Sequence, residues 1–75
     1  MDANNLNSVR RDAQKKQAAW AVQYVREQVH TFEGGNVSTF AYLSGQVSVL
    51  LMVGLIDHTE SELLHAMLDN RQYGD

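Results

Sequence analysis

His58, Glu62 and His65 stand at i, i+4 and i+7, with Asp69 four residues further on, and these are the side chains whose types and spacing could do chemistry. On one continuous helix they would share a face and offer two imidazoles and a carboxylate to a divalent metal. His58 is expected to precede the helix, however, which takes it off that face, so no metal site and no cofactor is assigned. Serines 8, 38, 44, 48 and 61 read as cap or helix residues, and none sits in a Gly-rich elbow of the kind that presents a nucleophile. The carboxylates fall on faces expected to be solvated, where a pair lacks the burial that acid–base work needs. Gly34-Gly35 is too short to cradle a phosphate. Cysteine is absent, which excludes disulfides, thiol chemistry and thiolate zinc sites. No catalytic residue is assigned, and the chain is read as non-enzymatic.

Contact chemistry remains, and three sets of residues could carry it. The first is basic: Arg10, Arg11, Lys15 and Lys16 make an N-terminal cluster that could meet phosphates, interrupted by Asp12 and pointing several ways around a helix. The second is acidic. Glu60, Glu62 and Asp69 would form a contact face on the last helix, able to mimic nucleic acid and block a basic groove. It also argues against using that helix to read DNA, because acids would face phosphate. The third is aromatic. Trp20 and Tyr24 are one helical turn apart and lie off the main apolar stripe, so they either close the core against the third helix or form a dimer seam or docking patch. Tyr42, Val49 and Val53 join them as interface candidates. Ala41 and Gly45 are a small-x-x-x-small pair that would let another helix approach closely.

The elements that must position these residues are all helical. At 75 residues the chain is one domain. From about Leu6 to Phe32 no Gly or Pro intervenes, and Ala18, Ala21, Val22, Val25, Val29 and Phe32 fall on one stripe at 100° per residue. Leu6, Val9, Ala13, Trp20 and Tyr24 form a second, which implies contact on two sides. Gly34 can take the left-handed conformation that ends this helix, and Asn36 or Ser38 can cap the next. The second helix is expected over Val37–Ile56, with Phe40, Leu43, Val47, Leu50, Leu51 and Gly54 on one face and Tyr42, Val49, Val53 and Ile56 roughly opposite. Residues 34–56 carry no charge, a length that could span a membrane. Ser38, Thr39, Ser44, Gln46 and Ser48 argue for a buried helix instead, as does the lack of flanking Lys or Arg. Thr59-x-x-Glu62 fits a capping box, with Asp57 as a competing cap. The third helix then runs to about Arg71 with Leu63, Leu64, Met67 and Leu68 as its apolar face. The ends, about 1–5 and 72–75, are expected to fray. No leader-type apolar segment opens the chain, so a cytoplasmic location is expected.

The expected fold is therefore all-α: three helices over about 6–32, 37–56 and 59–71, a helical hairpin plus a shorter third helix. So short a chain without cysteine struggles to bury enough apolar surface alone, so a homo-oligomer, first of all a dimer with the second helix at its centre, is expected. Residues 1–32 hold five basic and three acidic side chains, and residues 33–75 hold one basic and six acidic. That polarity could favour antiparallel docking of two protomers.

The Gly34-Gly35 break, the uncharged Phe40–Leu51 stretch, and Gly54-Leu55-Ile56-Asp57 leading into Glu62-Leu63-Leu64 together resemble short uncharacterised helical accessory proteins of bacteriophages and bacterial mobile elements. The resemblance covers roughly residues 33–68. It implies a small protein that binds and modulates a host protein, such as an inhibitor of a host system, and it carries over no functional residue. The alternative is a small nucleic-acid-binding transcriptional regulator that uses the N-terminal basic cluster.

Overall fold

A computed structural model describes the backbone of residues 3–74 and the side chains of residues 15–74. Three helices pack into an all-α bundle: α1 (Ala3–Thr31), α2 (Val37–Met52) and α3 (His58–Tyr73), with no strand among the described residues. The core is a single cluster. Val22, Val25, Val29 and Phe32 enter it from α1 and its end, Leu43, Val47 and Leu50 from α2, Ile56 from the second turn, and Leu64 and Leu68 from α3. The 3–4 spacing within each set is what keeps these side chains on one face of a 3.6-residue helix. Each is worth roughly 1.5–3 kcal/mol when fully buried.

The helices differ in length, and that sets the shape. α1 has 29 residues, about 43 Å at 1.5 Å per residue, whereas α2 and α3 have 16 each, about 24 Å. The Phe32 and Phe40 rings, 6.3 Å apart, mark where the α1–α2 hairpin turns. Counting back from Phe32 and forward from Phe40, Trp20 is level with Met52, so residues 3–19 of α1 run beyond the end of α2. The longest dimension of the molecule is 58 Å against 20 and 15 Å across.

The α1–α2 turn is pinned by α3. Gly34 has φ +88° and Gly35 φ +87°, backbone that a side chain resists. A Cβ on Gly34 would run into the Arg71 carbonyl, so glycine is also what allows the turn to lie against α3. Gln72 Oε1 accepts from Gly35 N–H at 2.9 Å. Arg71 Nη1 donates to the carbonyls of Val29 (2.7 Å), His30 and Phe32 (3.2 Å). Carbonyls at a helix end lack i+4 partners; Val29 O also accepts from Phe32 N–H at 3.3 Å, and the guanidinium supplies a donor to all three. Asn36 caps α2 by accepting from Thr39 N–H at 3.0 Å.

Three expectations are corrected here. α2 stops at Met52 rather than Ile56, because Gly54 (φ +79°) ends it: Leu55 N–H reaches Leu50 O at 2.9 Å and Gly54 N–H reaches Leu51 O at 3.0 Å. This is the six-to-one and five-to-two pairing of a Schellman ending. Chain direction changes there, and Ile56, placed opposite the core face by an uninterrupted helix, is buried instead. At α3, Asp57 rather than Thr59 is the cap, accepting from Glu60 N–H at 2.8 Å, so the helix begins at His58. It continues to Tyr73, whose ring meets Phe40 edge-on at 5.4 Å. Finally, Leu63 is 60% exposed while Ser61 is buried. The core stripe of α3 is Ser61, Leu64, Leu68 and Arg71, and Leu63 lies 100° round from Leu64. Ser61 is small where α3 closes on its neighbours.

Candidate contact surface

α3 covers one side of the α1–α2 hairpin, and its polar contacts show which. From α1, Arg26 meets Glu60 through a bidentate pair, with Nη2 to Oε1 at 2.6 Å and Nε to Oε2 at 3.2 Å. From α2, Ser44 and Ser48 hydroxyls lie 3.4 Å from Nδ1 and Nε2 of His65. Arg26 and the two serines therefore mark the flanks turned toward α3. Tyr24 is 200° round α1 from Arg26, and Trp20 sits one turn before it. Tyr42, Val49 and Val53 occupy the flank of α2 opposite Ser44 and Ser48. All five consequently lie on the one surface of the hairpin that α3 leaves uncovered, and all five are exposed, Trp20 by 68%. By register from Phe32 and Phe40, Tyr24 is level with Ser48 and Trp20 with Met52, so Val49 and Val53 each lie within one residue of the level of an aromatic ring.

Trp20 and Tyr24 are not core residues of this chain. Their rings stack on each other, centroids 5.3 Å apart and planes 18° from parallel, on the outside of α1. Stacking presents them as one flat apolar slab with little side-chain freedom left to lose on contact. Among the described residues two charges border this surface: Lys16, one turn before Trp20, and Glu27, three residues after Tyr24, both exposed and on the outer side of α1, 80° and 100° round from Arg26. Glu27 also accepts from Gln23 Nε2 at 3.2 Å.

The other expected sets fare differently. The acidic face is split. Glu60 is engaged by Arg26 on the α1 side, whereas Glu62 and Asp69, seven residues apart, share an exposed stripe on the far side of α3. The separation arises because two positions along a helix are 200° apart. His58 opens α3 and so does share the helix with Glu62 and His65. Even so, among the described residues no three His, Asp or Glu side chains gather to hold an ion, since His65 turns toward the α2 serines. Of the basic cluster, Lys15 and Lys16 are exposed and point 100° apart. The side chains of Arg10 and Arg11 lie outside the described residues, as do those of Leu6, Val9 and Ala13 on the second stripe. Ala41 and Gly45 are exposed, and a Cβ on Gly45 would meet nothing within 4 Å.

The described residues enclose no cavity. No known family, curated protein or solved structure matches the chain. No helix among the described residues is long and apolar enough to cross a membrane. Shortening α2 to Met52 accounts for part of this, since the uncharged run is broken by the Gly54 turn.

Sequence reasoning missed two kinds of residue. Arg26 and Arg71 were visible only as charges, and nothing local signals that they reach Glu60 and the end of α1. Met52, Val37 and Leu63 are further exposed apolar side chains outside the main patch. The Gly54-Leu55-Ile56 run was the available signal for the end of α2, a glycine followed by apolar residues.

Proposed function

We propose that the protein is a non-enzymatic protein–protein interaction module whose contact surface is the uncovered side of the α1–α2 hairpin. The observation that carries this is the coincidence of Trp20, Tyr24, Tyr42, Val49 and Val53 on one charge-poor surface with the two aromatic rings already stacked. Large aromatics in the centre of an apolar patch dominate interface energetics, and isolated exposed apolar residues need no such explanation. The patch is flat and no cavity adjoins it, which suits a protein surface better than a small molecule. The resemblance to phage and mobile-element accessory proteins implies a host protein as the target of the module; where the patch pairs two copies, that target is met by another surface of the dimer.

The test compares the full chain with Trp20→Ala and Val49→Asp as immobilised baits, with Leu63→Ser on the outer side of α3 as the control. A protein held by the wild type and the control, and lost by both patch variants, is the expected result, whether that protein is a second copy or another chain. If the wild type holds nothing that depends on Trp20, the reading fails.

A further inference from the structure

We infer that the occupant of this surface is a second copy of the chain, docked about a two-fold axis that brings the two α1 helices together antiparallel at Trp20 and Tyr24. The inference rests on the contact reading above and names its partner. The first argument is charge complementarity. Lys16 and Glu27 bracket the aromatic pair on the same flank of α1, one on each side. A two-fold axis between Trp20 and Tyr24 reverses one helix against the other. It lays Trp20 against the partner's Tyr24, and Lys16 against the partner's Glu27, and by symmetry each contact occurs twice. A parallel arrangement would set lysine against lysine and glutamate against glutamate.

The second argument is area. A compact monomer of 8.4 kDa exposes about 4,600 Å² by the scaling of surface with mass. This chain exposes 5621 Å². The excess, about 1,000 Å², is close to the roughly 800 Å² that each partner contributes to an interface of standard size. An axis between Trp20 and Tyr24 pairs position i of one α1 with position 44 − i of the other, which lays residues 15–19 along residues 25–29 of the second copy. Val49 and Val53, level with the axis, then face the partner's α1 rather than water.

Sedimentation equilibrium of the full chain tests this, with the single tryptophan as a second readout. The wild type should be a dimer, and Trp20 emission should shift to the blue as concentration rises. Trp20→Ala should weaken the dimer by at least about 100-fold, because a central aromatic is lost twice. Lys16→Glu and Glu27→Lys should each weaken it by about tenfold, with like charges meeting at two symmetric places. The double variant Lys16→Glu/Glu27→Lys should recover most of the wild-type affinity. Circular dichroism checks that each variant keeps its helices, which the exposure of all three side chains favours.

A wild type that stays monomeric at about 100 μM, where a micromolar Kd would be satisfied, overturns the two-copy assignment. A different protein held through Trp20 would then leave the contact reading standing. A dimer unaffected by Trp20→Ala overturns the assignment too. A double variant no tighter than the single ones overturns the antiparallel register.

Discussion

Replacing Gly34 with alanine tests how α3 holds the α1–α2 turn, and Gly35→Ala is its built-in control. The two glycines have nearly the same φ, +88° and +87°, so a side chain at either meets the same backbone penalty, about 1–2 kcal/mol. They differ in their surroundings. A Cβ at Gly35 has nothing within 4 Å, whereas one at Gly34 collides with the carbonyl of Arg71. That obstacle is backbone, so relief requires the last turn of α3 to move. Movement loosens the Arg71 bonds to the end of α1 and the Gln72 bond to Gly35. Bonds from a charged donor are worth about 1.5–3 kcal/mol and a neutral one about 1 kcal/mol. Partial loss puts Gly34→Ala at about 3–5 kcal/mol against about 1–2 for Gly35→Ala. For a chain this short, whose whole stability is of the order of 4–11 kcal/mol, the first value is a large share. Urea denaturation at one fixed protein concentration reads the difference. With an m-value of about 1 kcal/mol/M, the Gly34→Ala midpoint should lie about 2 M or more below that of Gly35→Ala. Midpoints within about 0.3 M of each other would refute the close approach of turn and helix on which the estimate rests.

Three other substitutions probe separate parts of the fold. Leu68→Ala, at a fully buried position of α3, should cost about 2–5 kcal/mol in the same urea experiment. Arg71→Met keeps the aliphatic stem and removes the donors to three carbonyls. It should lower stability by about 2–3 kcal/mol, and amide exchange should accelerate in the last turn of α1 and the first of α2. Gly45→Ala should raise stability by about 1 kcal/mol, since the residue is mid-helix and its Cβ meets no atom. It should leave the dimer constant unchanged, because Gly45 lies one turn before Val49 and farther from the axis, and a weakened dimer would extend the interface along α2 toward the hairpin turn. The nucleic-acid alternative predicts a mobility shift that fades steeply with salt and depends on Arg10, Arg11, Lys15 and Lys16. A shift lost on replacing all four with neutral residues would favour that alternative, and no shift at low salt would dispose of it.

The helical class, the three elements and most of the core could be read directly. Apolar residues recur every three or four positions in α1 and α2, and burial of Val22, Val25, Val29, Leu43, Val47 and Leu50 follows from that period. Ends were harder. Gly34 was recognisable as a stop, but Gly54 reads equally well as a small residue inside a long apolar run, and its left-handed backbone decides the matter. Asp57 and Thr59 are both competent caps, and which one accepts depends on how the second turn meets α3. In the third helix, where apolar residues are few, Leu63 and Ser61 exchanged places relative to their hydrophobicity, because α3 must come close to two neighbours at once and a serine fits there.

The contact surface shows the same division. That Trp20 and Tyr24 stand off the main stripe of α1, and that Tyr42, Val49 and Val53 stand off that of α2, are properties of 100° steps along a chain and needed no third dimension. That the two outlying sets share one surface is a property of how three helices assemble. It depends on Arg26 and Ser44 being turned toward α3, and on the register that Phe32 and Phe40 impose at the hairpin. The reach of Arg71 across to the end of α1 belongs to the same category. Local spacing dictates which face of a helix a side chain occupies. Which faces meet, and which are left open, is decided only when pairs more than thirty residues apart, such as Arg26 with Glu60, come into contact.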